Sequence, residues 1–304
     1  MRAAFIPVLF CLAGLLVGHR EEIFSGFEKQ QFDLGDTRFI NYTLEHELRW
    51  VLRDPEHSSL WDRPYFWPAE NVGAYADVMP GALPPYLFWR VFFPYDTAFL
   101  VWGFTVGCLN FAAMFFLLRR AVKLSAIGAS AGAVLFAFSN LRINMTMHWQ
   151  LFSHYWSVLC LLGLYSATDE TLSERARKIW IWVALLSIAA QLWAGYYLGW
   201  FLVFGLTVSG AVGLCIKPVR TRVVATLKKF PLTIAGAGLV TGLILIPLGK
   251  GYLAGAAESG MRPFAEVMTM ICPPHAWLDL GPHNWLYSKL TTAMPPISME
   301  HEQR

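Results

Sequence analysis

A chain of 304 residues that is 56% hydrophobic and only 15% charged carries too little polar surface for an ordinary soluble globular protein. Its 13 Trp, 11 Tyr and 22 Phe suit membrane interfaces, where amphipathic rings are favoured at headgroup level. The net charge of +3 says less than its distribution: the basic clusters form a topology signal, which argues against soluble nucleic-acid binding.

The first apolar segment covers 3–18, with Arg2 before it. Its length lies between a signal-peptide core and a short span. Because Leu15-Leu16-Val17-Gly18-His19 offers no small-x-small cleavage site, an uncleaved anchor is expected. Six further apolar stretches follow near 97–118, 124–138, 151–167, 179–194, 196–216 and 231–249. Together they predict an all-α fold, a polytopic transmembrane helical bundle of seven spans forming one domain over 1–304.

Short cytoplasmic loops retain positive charge. With the N-terminus inside, the inside set is Arg2; Arg119, Arg120 and Lys123; Arg175, Arg177 and Lys178; and Lys217, Arg220, Arg222, Lys228 and Lys229, half of the 24 Lys and Arg. Of the 21 acids only Asp169, Glu170 and Glu174 share that side. The predicted outer loops are therefore 19–96, 140–150 and 250–304. Cys11, Cys108, Cys160, Cys215 and Cys272 show no CxxC or His-paired spacing and read as small core residues.

The first outer segment opens on an acidic turn, Asp33-Leu34-Gly35-Asp36-Thr37-Arg38. From Thr37 onward Ile40, Leu44, Leu48 and Val51 recur at helical spacing, with Asn41, Glu45 and Arg49 on another face. That pattern predicts an amphipathic helix along the membrane surface, N-capped by Asp36 or Thr37. The aromatic and proline-rich run Trp61 to Pro68 predicts an irregular lid at the interface. The apolar piece 87–93 is too short to span and reads as a second surface helix or a re-entrant segment. The second outer loop, 140–150, brings Arg142, His148 and Gln150 between two spans, and 191–200 reads as a tight hairpin turning at Gly195. The last outer segment, from Lys250, ends without a closing helix or globular domain, an ending open to two readings, the tail of a membrane protein or a shortened form of a longer chain. Glu45-His46-Glu47 and Glu300-His301-Glu302 invite a metal reading, but neighbouring helix residues point in different directions, so a divalent metal has no support from spacing and no cofactor is implied.

The apolar first span followed by Gly35-Asp36-Thr37-Arg38, the helix Asn41 to Trp50, Phe66-Trp67-Pro68, Tyr75-Ala76-Asp77, His148-Trp149-Gln150-Leu151 and Gly195-Tyr196-Tyr197-Leu198-Gly199-Trp200 carry a resemblance. The chain resembles the bacterial branch of the GT-C superfamily, multi-spanning glycosyltransferases that use polyprenyl-phosphate sugars or related lipid-linked donors. The resemblance covers essentially the whole chain through short, degenerate motifs. It implies a multi-pass protein of the bacterial cytoplasmic (inner) membrane that meets a lipid-linked sugar donor, membrane lipids and a glycan, lipid or protein acceptor. It also implies an essential acid in the first outer loop, which by position is Asp36. Three departures stand: Asp33 and Asp36 are spaced DxxD, there is no Asp-Glu pair, and the family's further spans and soluble C-terminal domain are missing from this sequence.

Sugar transfer from a lipid phosphate to a hydroxyl needs a base near the nucleophile and hydrogen-bonding or positive groups at the leaving phosphate. Asp36 is the candidate base, Arg38 and Arg142 the candidate phosphate contacts, and Asp77, His148 and Gln150 the candidates for holding sugar hydroxyls or orienting the base. Each has a plainer role open to it: helix cap for Asp36, turn residue for Asp77, lipid-headgroup contact for Arg38 and Arg142, and satisfaction of backbone at a span boundary for His148 and Gln150. Two other classes of function remain, a transporter and a non-catalytic membrane assembly subunit. The predicted spans hold no Asp, Glu, Lys or Arg, which weighs against transport.

Overall fold

The computed structural model describes residues 2–28, 35–66, 68–139, 145–260, 263–269 and 271. Among them every regular element is helical and no strand occurs. In chain order α1 is Arg2–Gly18, α2 Arg20–Phe24, α3 Asp36–Val51, α4 Leu83–Arg90, α5 Tyr95–Leu117 and α6 Ala126–Phe138. There follow α7 Tyr155–Thr168, α8 Glu174–Ala194, α9 Tyr196–Cys215, α10 Lys217–Lys229, α11 Pro231–Ser259 and α12 Phe264–Thr269. Short 3-10 turns lie at Pro55–His57, Val72–Tyr75 and Met145–Leu151, and a π-helical turn, Leu118–Val122, extends α5. Backbone packing divides the chain into two units, 1–255 and 256–304, and the described part of the second holds the end of α11 and α12.

Among the described residues, three helices are long and apolar enough to cross a membrane: α5 with its π turn (28 residues), α9 (20 residues) and α11 (29 residues). Phe5–Gly18 of α1 and all of α6 are apolar but shorter. Phe201 and Phe204 of α9 and Leu239 and Leu243 of α11 are each more than half exposed. So much apolar surface is unfavourable against water and compatible with a membrane protein.

Local chemistry explains several boundaries and corrects others. Ser125 and Ser173 cap α6 and α8, their hydroxyls accepting from Gly128 N at 3.1 Å and Ala176 N at 3.3 Å. Of the apolar piece 87–93, residues 87–90 end α4 and 91–93 follow it as a turn; α4 starts at Leu83, where prolines in the first helical turn sacrifice no hydrogen bond. The helix expected from Leu151 starts at Tyr155. Asn110 of α5 holds the break, its Nδ2 donating to Phe152 O at 2.8 Å and its Oδ1 accepting from His154 N at 3.0 Å, so the interrupted backbone stays paired. The expected connection 217–229 is helical, as α10, and α11 runs through Pro247 to Ser259, so the predicted outer tail from residue 250 begins as helix. Gly195 alone separates α8 from α9, with an extended backbone (φ 172°) that any residue adopts. A Cβ there would sit 2.6 Å from Gln150 O, so close approach of the chain, not freedom to turn, requires glycine.

The most consequential difference concerns α3. The N-terminal part of its apolar face is packed inside the protein: Ile40 and Leu44 join Met79, Tyr86, Phe99, Trp102, Trp149 and Phe152 in a core cluster, while Val51 at the far end is exposed. Asn41, Glu45, His46 and Glu47 are buried as well, whereas Arg49 is exposed. The predicted membrane-surface helix is therefore a central strut of the first unit. Leu44 is fully buried, and burying such a side chain contributes about 1.5–3 kcal/mol.

Candidate functional site

α3 starts at Asp36, with Gly35 as N-cap and no side-chain capping bond. Asp36 thus stands inside the first turn, where the exposed N–H groups of the helix favour a carboxylate without needing it as the cap. Its Oδ2 lies 2.8 Å from His148 Nδ1. The Asp36 side chain is 50% exposed and that of His148 34%, so the pair is open to a ligand.

His148 is presented by the 3-10 turn Met145–Leu151, and its own backbone (φ −121°, ψ 71°) breaks the helical path. The neighbouring Trp149 explains the geometry. It is 1% exposed, packed among Phe99, Trp102 and Phe152, with the ring of His19 stacked 6.4 Å away. Gly103 makes room, because a Cβ there would come within 2.6 Å of the Trp149 ring. One buried indole therefore fixes the loop and turns His148 toward Asp36. With Nδ1–H donated to the carboxylate, the imidazole keeps Nε2 as a lone-pair base, the tautomer used in acid–base chemistry.

The remaining candidates separate. Gln150 is half-buried, and its Oε1 finds no hydrogen-bond partner among the described residues. Arg38 is exposed two residues beyond Asp36, and residues two apart on a helix do not face each other. Arg142 and Asp33 lie outside the described residues. Asp77 is buried and engaged elsewhere, since its Oδ1 accepts from Tyr196 N at 2.7 Å and so closes the first turn of α9 from 119 positions away in sequence. Burial pushes its carboxyl up to about 6 against the Tyr196 N–H, the Arg63 guanidinium and the Tyr197 N–H. In this geometry Asp77 closes the first turn of a helix from across the fold.

No local sequence pattern announces the buried charges behind the site. Glu45 accepts from Arg90 (Nε at 2.9 Å, Nη2 at 3.1 Å), Tyr86 OH at 2.9 Å and Arg49 Nε at 3.2 Å. Burial works to raise the Glu45 carboxyl, yet Arg90, Tyr86 and Arg49 hold it below its usual range. Glu47 accepts from Met79 N at 2.6 Å and lies 3.7 Å from Arg63 Nη2. Burial pushes Glu47 up to about 7 despite both. Arg63 also donates to Thr43 Oγ1 at 3.0 Å, Tyr65 OH at 3.2 Å and Asp77 O at 3.2 Å. His46 pairs with His57, Nδ1 to Nδ1 at 2.7 Å, and its Nε2 lies 3.0 Å from Ser59 O. Burial, the Arg63 charge and His57 depress His46 to about 4, so it is neutral. With Nε2–H on Ser59 O, its Nδ1 accepts from His57. Glu45, His46 and Glu47 therefore part toward three different partners, and the described residues contain no group of three or more potential ligands able to hold a metal.

No family model, curated protein sequence or solved structure matches the chain.

Proposed function

We propose that the chain is a GT-C-like membrane glycosyltransferase of the bacterial inner membrane, moving a sugar from a polyprenyl-phosphate donor to an acceptor hydroxyl on the outer face. One observation carries the reading: a solvent-open carboxylate–imidazole pair, Asp36 with His148 at 2.8 Å, between the two segments that resemble that superfamily. In this mechanism Asp36 orients His148, and Nε2 takes the proton as the acceptor oxygen attacks the anomeric carbon. The glycosidic bond to phosphate breaks, and the departing lipid phosphate keeps the bonding electrons. Arg38 and Arg142 supply positive charge to that phosphate.

The membrane arrangement belongs to the same proposal: seven spans formed by α1, α5, α6, α7, α8, α9 and α11, with the N-terminus inside and α3 and α4 on the outer side. The three long apolar helices and the one-sided distribution of Lys and Arg support it. At 13 and 14 residues, α6 and α7 are about 20 Å long. They fall short of the ~30 Å hydrocarbon layer, so this arrangement requires a locally thinned bilayer.

The test is a transfer assay with a panel of polyprenyl-phosphate sugars, comparing wild type with Asp36→Asn and His148→Gln at matched expression. General-base catalysis is worth about 10²–10⁴-fold, and each variant is expected to lose transfer in that range. Undiminished transfer by both variants would remove the pair from the chemistry, and solute uptake by the purified protein without transfer to any acceptor would replace this function with transport.

A further inference from the structure

We infer that α10 is an anionic-lipid docking surface, built to lie on a negatively charged bilayer face between the helices it joins. Over Lys217–Lys229 the helix carries Lys217, Arg220, Arg222, Lys228 and Lys229 and no acid. Ile216, Val219, Val224 and Leu227 recur along one side, and each is between 38% and 50% exposed. At 100° per residue they share one arc with Val223, flanked by Lys217 and Lys228 on one edge and Arg222 on the other. Arg220 falls inside the arc, where a long side chain can run along apolar surface and place its charge at the headgroups. An apolar stripe with cationic borders is the pattern of helices that lie in the membrane interface.

The Arg222 border of the stripe is held by the protein at Thr226, about 20° beyond Val219 on the helical wheel, and this sets the rotation of the helix. Thr226 is buried, its Oγ1 accepting from Arg177 Nη2 at 3.1 Å, while Arg177 Nε donates to Ala167 O at 2.8 Å. The Arg177 guanidinium lies 4.9 Å from the centre of the Phe230 ring, and Lys229 Nζ pairs with Glu174 at 2.8 Å. Lys217, Arg220, Arg222 and Lys228 are exposed and have no carboxylate partner among the described residues. The apolar surface continues on both sides of α10, through Val212 and Leu214 of α9 and Leu232 of α11, each at least 47% exposed. That continuity selects a lipid surface over an isolated protein partner, and the four uncompensated cations select its charge. The inference needs only that the chain is membrane-embedded; it does not depend on sugar transfer.

The test measures phosphatidylglycerol and phosphatidylcholine binding to the delipidated full chain in neutral detergent, by native mass spectrometry. Wild type is expected to prefer phosphatidylglycerol by about tenfold at low salt, since each basic side chain near a charged membrane surface contributes appreciably. The preference should shrink at high salt. The variant Lys217→Gln/Arg220→Gln/Arg222→Gln/Lys228→Gln should lose it, and so should the milder Arg222→Gln/Lys228→Gln in part, with unchanged elution and helicity. Exchanging Lys for Arg and Arg for Lys at those four positions should preserve it, as should Arg175→Gln/Lys178→Gln in a neighbouring basic cluster. Equal binding of the two lipids by wild type overturns the inference. So does loss of preference in the Arg175/Lys178 variant alone, or binding of a polyglutamate peptide without any lipid preference, which would assign α10 to an acidic protein. None of these outcomes bears on the transfer assay, so the two proposals fail separately.

Discussion

Helix α3 carries two polar centres that differ in almost every physical respect. At its first turn Asp36 meets His148 with both side chains open to solvent. Two to three turns on, Glu47 and Arg63 face each other at 3.7 Å with fully buried side chains. The exposed pair contributes little to folding, because water competes for both partners, and stays available to an incoming ligand. The buried one is held in place by Met79, Thr43, Tyr65 and Asp77 and is closed to solvent, with Glu47 Oε2 and Arg63 Nε left without a hydrogen-bond partner among the described residues. Residues of similar chemistry on one helix thus divide into a solvent-open end and a buried middle.

The sharpest way to break that division is Arg63→Met. Removing one partner of a buried ion pair typically costs about 3–5 kcal/mol, because the remaining charge is left without compensation. The loss should appear in chemical unfolding of the detergent-solubilised protein. Arg63→Met/Glu47→Gln should recover part of it, since the orphaned carboxylate is then gone. A loss below about 1 kcal/mol in the single variant would mean that Arg63 behaves as an exposed charge does.

The second effect is a pH dependence. Burial raises the folded Glu47 carboxyl from its ordinary value of 4.5 to about 7, so between those limits the folded state binds more protons than the unfolded chain. Stability from this group therefore falls as pH rises through about 7 and is regained toward acid. Asp77, raised to about 6, acts in the same direction over a lower window. His46 opposes them: depressed from 6.5 to about 4, it makes the folded state costlier as pH falls below 6.5. The cleanest window is therefore above 6.5, where Glu47 gives the largest of the three contributions and the tails of Asp77 and His46 oppose each other. Melting temperature should rise as wild type is taken from about pH 8 to about pH 6.5, and Glu47→Gln should flatten that rise. An identical rise in Glu47→Gln would assign the titration elsewhere.

Local signals in the sequence reach the exposed centre far better than the buried one. Periodicity from Thr37 marks α3 as a helix, and its start at Asp36 falls where the acidic turn suggests. The polar face of Asn41, Glu45 and Arg49 is also legible, but not the burial of Asn41 and Glu45 beneath an exposed Arg49. Asn41 reaches Asp96 at 3.2 Å and Glu45 reaches Arg90, partners 55 and 45 positions away that leave no trace in local spacing. Asp77 is further removed still, because its role depends on the start of α9. Trp149 between His148 and Gln150 is 1% exposed and its burial fixes where His148 points, although its sequence position alone fits an interfacial ring equally well.

The smallest expected effect separates the two roles open to Asp36. Since Gly35 is the N-cap and α3 has no side-chain capping bond, Asp36→Asn removes no cap. What it removes is a half-exposed carboxylate–imidazole contact and a charge in the first helical turn, each worth at most about 1 kcal/mol. Unfolding midpoints of Asp36→Asn and His148→Gln should therefore stay close to wild type, in contrast with Arg63→Met. A destabilisation of about 2 kcal/mol or more in Asp36→Asn would make the carboxylate a capping or structural group after all. It would also turn any accompanying loss of transfer into a consequence of folding. Unchanged midpoints with transfer lost would leave the pair a reactive one, because stability and activity would then have parted at a single carboxylate.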